Sequence, residues 1–555
     1  MLGDTHVEPH AEPLPRSNRR VRAIVAMINA HRPDLVIHLG DLVHPPPGLP
    51  GHAPAIAAVK EILAGLEAPL HVLPGNHDIG DKPSPWMPAK AVRADWLEAH
   101  NAAFGATPAI VDHGDISLLL LNAPLLNSGL AAEAVQWAYM KQQLASRRGR
   151  RLLVFLHYPP FLVTPDEPGH YDNLDEPARG RLLALLRRHG AEAVLAGHVH
   201  NLFLHADGDM RIYVAPSTSF VRRDYAEMFR IGPLAEHGRE DPAKLGFLLL
   251  EVLETGHRVR FVRLDESSAL PTPWPEPCPL GVELRHPWAE LVELPMNPPT
   301  DAFQRRRVRN DYPVWALLEL GIQKLRVPLA DLIEPRTRER MALLHAMGRH
   351  FTVLAAGVPD EAAQVVLADH RELVRALEIV LPDAAVLPSL PAIAAMVDRT
   401  EVLARLAPLR SNADRLSGTT NLDHELGQGF GLGEIDRLEA MMALPGARKA
   451  FRGAVLTLPS TTEPGPALAA VRPRLAALGL DLALTIGLIP PRPDATLTDH
   501  ASLRARVLAT LDGARAHPEL DVFLDSFMDI DRGYFVRHGL IDRRGTPRLD
   551  LLAQA

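Results

Sequence analysis

Five short motifs concentrate the residues of this chain that could do chemistry. They are Gly3-Asp-Thr-His6, Gly40-Asp41, Gly75-Asn-His-Asp78, His157 and Gly197-His-Val-His200. Their side chains are imidazoles, carboxylates and one amide, donors that suit first-row transition cations without sulfur. Phosphate ester hydrolysis calls for such a set. It needs charge neutralisation on the phosphoryl oxygens and a strong nucleophile at neutral pH, which two cations about 3.5–4 Å apart with a bridging hydroxide supply. Cations that close need a shared anionic ligand, a role an aspartate fills. The other ligands should be neutral, so that the cations stay electrophilic. Asp4, His6, Asp41, Asn76, His157, His198 and His200 make up that inventory. In Asp4-Thr-His6 and His198-Val-His200 the side chains stand two apart, so on an extended or turning backbone both reach one centre or two adjacent ones. Gly3, Gly40, Gly75 and Gly197 precede the groups, and glycine permits a tight turn and close backbone approach.

Such a site needs strands that end together. Asp34-Leu-Val-Ile-His-Leu-Gly-Asp41, His71-Val-Leu73, Leu152-Leu-Val-Phe-Leu-His157 and Ala193-Val-Leu-Ala196 are short apolar runs that stop at the motifs. They read as strands buried on both faces. Ile116 to Asn122 reads as a further strand, and Ala53–Leu66, Ala131–Ser146 and Leu182–His189 as helices. Three later runs, from Met210, Gly246 and His257, look antiparallel. A mixed sheet sandwiched by helices follows. The strand that should lead into Asp4 is missing, which leaves either an upstream start or a truncated first strand.

From Ser267 to Thr300 prolines crowd together, at Pro271, Pro273, Pro275, Pro277, Pro279, Pro295, Pro298 and Pro299. Such a stretch is extended and semi-rigid, and residues 266–300 are expected to be a linker between a 1–265 domain and a 301–555 domain. The second domain alternates helix and strand. Strands are expected from Lys324, Phe351, Ala376, Ala454, Leu482 and Asp521, and Pro391–Leu409 reads as helical. Its size and period match a (β/α)8 barrel, with a doubly wound α/β sheet as the alternative and a poorly marked first strand.

The 555 residues are too many for one core. With 47% hydrophobic and 23% charged residues the chain has an ordinary globular composition. The net charge of −8 and the 5% aromatic content disfavour sequence-independent nucleic-acid binding. Cys278 is the lone cysteine, which excludes internal disulfides and thiolate metal clusters. No run of 18 apolar residues suggests a membrane span. A reducing, cytoplasmic setting is expected, and oligomerisation stays open.

The motif series resembles the calcineurin-like metallophosphoesterase superfamily, whose pattern is Asp-x-His, Gly-Asp, Gly-Asn-His-(Asp/Glu), His and Gly-His-x-His. All five elements are present in order within residues 1–265. The resemblance implies a four-layer α/β/β/α sandwich and a hydrolase acting on a small phosphate ester. It implies two divalent or trivalent transition metal ions (Mn, Fe, Zn or Co). Asp4, His6 and His200 would hold the first, Asp41 would bridge, and Asn76, His157 and His198 would hold the second. With Asp41, His77 would be the catalytic residue, stabilising or protonating the leaving oxygen. Asp78 would orient His77 or support its turn. Within the superfamily the chain looks most like class III cyclic nucleotide and glycerophosphodiester phosphodiesterases. That favours phosphodiesters over the alternatives, a phosphomonoesterase or a nuclease.

Other residues have blander readings. His44, His170, Tyr171, Arg222 and Arg223 could line a substrate rim but suit loop or surface roles. Asp525, Asp529 and Asp531 follow the last strand, where barrel enzymes place catalytic groups. A sugar-binding or glycosidase barrel beside a non-catalytic phosphoesterase domain is therefore the competing reading. Salt-bridged rim carboxylates are the better account of these aspartates.

Overall fold

Strand-forming runs and helices sort into two compact units, residues 1–274 with 291–312, and residues 275–290 with 313–555. The structure is a computed structural model. It describes residues 1–552 apart from 85, 86, 88, 89, 230–234, 268, 269, 286, 297–299, 411–426, 489–498 and 530–537.

In the first unit β1 (Val36–His38) pairs in parallel with β2 (Leu70–Val72). A second sheet holds β3 (Ala109–His113), β4 (Ile116–Leu120), β5 (Arg151–Leu156), β6 (Ala193–Ala196), β7 (Phe203–Asp207) and β8 (Met210–Val214). Its spatial order is β3-β4-β5-β6-β8-β7. β9 (Gly246–Val252) and β10 (His257–Arg263) form an antiparallel ribbon. The central strands β4, β5 and β6 are almost continuously apolar and buried because helices cover them. Helices Arg16–His31 and His52–Leu63 bury Ile24, Ile28, Val59 and Ile62 against Val36, Val72 and Phe247. Helices Ala131–Ser146 and Ala178–Arg188 bury Met140, Leu144, Leu182 and Leu186 against Leu119, Val154 and Val194. Between the two sheets Ile37 and Phe247 face Leu118, Leu153 and Phe155 across a cavity of about 470 Å³. This is the expected four-layer sandwich. Around Asp4 the backbone makes isolated parallel bridges, Leu2 to His38 before it and Val7 to Val43 after it, in place of a full strand.

The second unit is a closed barrel of eight parallel strands. β11 (Cys278–Glu283) is the first of them. It lies inside the proline-rich stretch read as linker. Pro279 has no N–H to give, and the register slips there, between Cys278 and Gly281. Leu280 and Val282 are fully buried, and two apolar positions alternating within a run of prolines are a faint signal. The chain then returns to the first unit as a hairpin, β12 (Leu291–Pro295) with β13 (Arg305–Arg309). The barrel resumes with β14 (Ile322–Pro328), β15 (His350–Ala356), β16 (Val374–Leu381) and β17 (Ala404–Arg410). Two short pieces follow, β18 (Gly427–Gln428) and β19 (Phe430–Gly431), then β20 (Gly453–Leu458), β21 (Asp481–Ile486) and β22 (Leu520–Leu524). Pairing of β22 with β11 and of β17 with β20 closes the ring, which excludes a doubly wound open sheet. The helix expected through Leu409 is Asp383–Thr400 instead. Glu401, left-handed at φ 56°, stops it, and the remaining apolar run becomes β17.

The barrel core is not simply apolar. Arg326, Glu378 and Arg405 are fully buried within it. Glu378 accepts from Arg326 at 2.9 Å and lies 3.5 Å from Arg405. Arg326 also donates to Thr485 at 2.7 Å. Arg405 continues to Asp481 and Asp521. Barrel interiors are usually filled by branched aliphatic layers. At the rim, Asp529 accepts a two-pronged bond from Arg548 at 2.6 and 3.0 Å. Asp525 accepts from the Leu488 N–H at 2.9 Å. Both carboxylates are structural, and Asp531 lies outside the described residues. No helix among the described residues is long and apolar enough to cross a membrane.

Candidate metal centre

Strand ends of the first unit deliver the motif residues to one buried spot. Asp4, His6, Asp41 and His200 bring ligand atoms within 4.8 Å of one another, and so do Asp41, His157 and His198. Asp41 belongs to both groups. Asn76 joins the second, its Oδ1 3.0 Å from His157 Nε2 and 3.1 Å from His198 Nδ1. All seven predicted ligand residues are therefore gathered, each at most 4% exposed.

The backbone is bent to do this. Asp4, His6, Asp41, His198 and His200 all have positive φ, between 40° and 70°. For side-chain-bearing residues that conformation is costly and clusters at functional sites. Gly40 and Gly75 let two of the turns touch. A Cβ on Gly40 would stand 2.6 Å from the Gly75 nitrogen, and one on Gly75 would stand 2.2 Å from Asp41 Oδ1. Asp78 ties the same turns together. Its carboxylate accepts from the N–H groups of Asp41 (2.8 Å), Leu42 (2.9 Å) and Gly75 (2.8 Å). Asp78 thus supports the turn and does not orient the His77 ring. The Asp4 turn is held by hydroxyls. Ser217 and Ser219 donate to the Asp4 carbonyl at 2.9 and 2.7 Å, and Thr218 donates to that of Gly3 at 3.1 Å.

Carbonyl oxygens fix three of the imidazoles, since a ring nitrogen facing a carbonyl must carry the proton. His157 Nδ1 donates to Leu39 O at 2.9 Å, His198 Nε2 to Tyr171 O at 3.1 Å, and His200 Nδ1 to Phe220 O at 2.9 Å. Their other nitrogens point inward. In the neutral rings, lone pairs of His157, His198 and Asn76 then meet at 3.0–3.1 Å with no hydrogen between them. His6 Nε2 and His200 Nε2 also face each other, 3.1 Å apart. Two ligands about 2.1 Å from a common ion stand roughly 3.0–3.4 Å apart, so the spacing fits cations in both groups. Burial, then neighbouring imidazoles, hold His6 and His198 well below the usual histidine range, which keeps their lone pairs free. Burial also opposes charge on His157, but Asp41 outweighs it and raises this pKa to about 9. A cation would take that proton's place.

His77 belongs to neither of these groups, but with His44 and His6 it makes a third set of ligand atoms within 4.8 Å of one another. It is half-buried, its ring 4.5 Å from that of His6 and 5.5 Å from that of His44. Its main-chain N–H donates to Asp41 Oδ1 at 2.8 Å. His170 is engaged within its own loop, accepting at Nδ1 from the Asp172 N–H at 3.2 Å.

Residues 1–202 match the family model described as calcineurin-like phosphoesterase. The first unit carries a calcineurin-like phosphoesterase domain over residues 1–202. The zebrafish (Danio rerio) serine/threonine-protein phosphatase CPPED1 is 33% identical over 177 residues, 30% of this chain and 54% of that protein. The Mus musculus protein of the same name is 29% identical over the same shares. The glycerophosphodiester phosphodiesterase GpdQ of Enterobacter lignolyticus is 27% identical over 206 residues, 35% of this chain and 66% of its own length. The chain spans about half the length of the first of these relatives.

Sequence reasoning missed several groups that shape this calcineurin-like site. Leu39, Tyr171 and Phe220 act through carbonyls, which leave no trace in residue type. The Ser217-Thr-Ser219 run did carry a signal: three consecutive hydroxyls after a strand end are suited to capping backbone carbonyls. Arg222, read as surface, is partly buried and paired with Asp172 and Asp224. Tyr171 lies with its ring 4.8 Å from that of His198.

Proposed function

We propose that the first unit is a dinuclear metal-dependent phosphohydrolase that prefers phosphodiesters. The observation that carries the reading is the convergence of His157 Nε2, His198 Nδ1 and Asn76 Oδ1 beside an aspartate shared with a second ligand group. Asp4, His6 and His200 would hold one cation and Asn76, His157 and His198 the other, with Asp41 between them. Bound there, transition metals such as Mn, Fe, Zn or Co would neutralise phosphoryl charge and supply a hydroxide nucleophile at neutral pH. The chain's own residues do the rest. Asp41 fixes the His77 backbone, and the exposed side of His77 is placed to donate a proton to the leaving oxygen. The preference for diesters draws on the GpdQ relatives and on charge. Arg222 is neutralised by Asp172 and Asp224, so it has no spare charge for a dianionic monoester.

The test uses the full chain with Mn²⁺, comparing bis(p-nitrophenyl) phosphate with p-nitrophenyl phosphate, and repeats both after chelation. Chelator-sensitive hydrolysis, faster on the diester, is expected. A monoester preference would shift the reading toward a phosphatase like CPPED1. Absence of bound metal, or of any hydrolysis, would overturn it. In the same assay His77→Gln is expected to lower kcat by about 10²–10⁴-fold, with metal content unchanged because the two ions of this reading are held by Asp4, His6, Asp41, Asn76, His157, His198 and His200; a loss of metal would instead assign His77 to the group it forms with His6 and His44.

A further inference from the structure

The His198 side of the centre is braced by a part of the chain far from the motifs. Asp172, fully buried, follows Tyr171, whose carbonyl receives the His198 Nε2 proton at 3.1 Å. The Asp172 carboxylate lies 3.9 Å from the same nitrogen. It accepts from Arg222, from Arg306 and, at 3.1 Å, from the Tyr225 hydroxyl. Both arginines also bind Asp224, Arg222 at 2.7 Å and Arg306 through its other terminal nitrogen. The result is a closed ring of two cations and two anions. The Arg306 guanidinium lies over the Tyr225 ring, 4.2 Å from its centroid, and its side chain is 2% exposed. Arg306 belongs to the β12–β13 hairpin. That hairpin is seated in the first unit by Leu294 and Val308, which pack with Val199 and Phe203, beside His198 and His200.

We infer that the hairpin is a working part of the metal centre, and that Arg306 is a positioning residue for His198. The inference rests on the two-metal reading above. Its chemistry is simple. Without Arg306, two buried carboxylates share one arginine. Asp172 then loses its second anchor, and Tyr171 no longer holds the His198 ring with Nδ1 facing Asn76. Loss of partners that orient a ligand histidine typically costs 10–100-fold in metal affinity. The residue lies well past the 1–202 family match, so the site of this chain depends on a segment the family pattern does not contain.

The experiment measures Mn²⁺ binding to the full chain by isothermal titration and metal analysis, with circular dichroism to check folding. Wild type is expected to bind two ions. Arg306→Met, which keeps the length but not the charge, should weaken one of the two by about 10–100-fold and leave the other within a few-fold. Arg307→Met, at an exposed hairpin position, should change neither. Arg306→Lys retains the charge but cannot reach both carboxylates with separate nitrogens. It should fall between the two and guards against a misfolded methionine variant. Two ions bound with unchanged affinity by folded Arg306→Lys and Arg306→Met would overturn the inference alone; a fall in melting temperature with both affinities intact would do the same. A wild type that binds no metal would overturn it together with the two-metal reading.

Discussion

Asp41→Ala is expected to abolish metal-dependent hydrolysis, by at least about 10³-fold, and to lower bound metal at both positions. Asp41 is the one carboxylate common to both ligand groups. Its Oδ1 lies 3.3 Å from His157 Nε2 and its Oδ2 lies 3.6 Å from His6 Nε2. Metal ions supply several kcal/mol of charge stabilisation to such reactions, and each 1.36 kcal/mol is tenfold in rate, so losing about 4 kcal/mol gives that factor. Alanine also removes the acceptor that holds the His77 N–H at 2.8 Å. Asp41→Asn separates shape from charge. Asparagine tolerates the φ of 56° better than alanine does and can still accept from His77. It should fold as wild type and yet bind metal poorly. Metal content and kcat for the pair decide the matter: an Asp41→Ala chain with full activity is incompatible with the proposed centre.

The second large effect is on stability and lies in the barrel. Glu378→Ala should lower the stability of that unit by about 3–5 kcal/mol, the usual cost of stripping one partner from a buried ion pair. Glu378 is the anion between two fully buried arginines, and its loss leaves Arg326 with Thr485 and a more distant Glu283 at 3.8 Å. At 2–4 °C per kcal/mol for a unit of this size, the barrel transition should fall by roughly 6–20 °C. A triple replacement of Arg326, Glu378 and Arg405 by apolar residues of similar volume should recover much of the loss, because an apolar core pays no desolvation. Calorimetry of the single and triple variants checks both statements. An unchanged transition in Glu378→Ala would mean that water reaches the network.

Much of this molecule was legible beforehand, for identifiable reasons. The motif strands could be read because a strand buried on both faces is continuously apolar and because the ligand types are chemically distinctive. The barrel could be read from its period, although its first strand hid among prolines. Pro279 argues against a strand, and only the closure with β22 shows why one is needed there. The run to Leu409 misled because an apolar stretch carries no mark of where helix gives way to strand when the stop is a glutamate in a left-handed turn. The carbonyls that set the histidine tautomers were invisible, since every residue has one. The arginine ring was invisible for a different reason: Arg222 and Arg306 look like surface charge until Asp172 and Asp224 are placed beside them.

The route of the chain has a consequence for the order in which the protein is made. Leu280 of β11 pairs with Val522 of β22, near the far end of the chain. The hairpin that brings Arg306 to the first unit follows β11 almost at once. On a ribosome the phosphoesterase unit can be complete once residue 312 has emerged. β11 must then wait for its last neighbour, roughly 10–40 s at 5–20 residues per second. During that interval it is an unpaired strand edge, held at both ends by a unit that has already folded. Such an edge invites pairing with other chains. Anchoring it on both sides restricts what it can meet, and Arg285, immediately beyond it, adds charge at its exit.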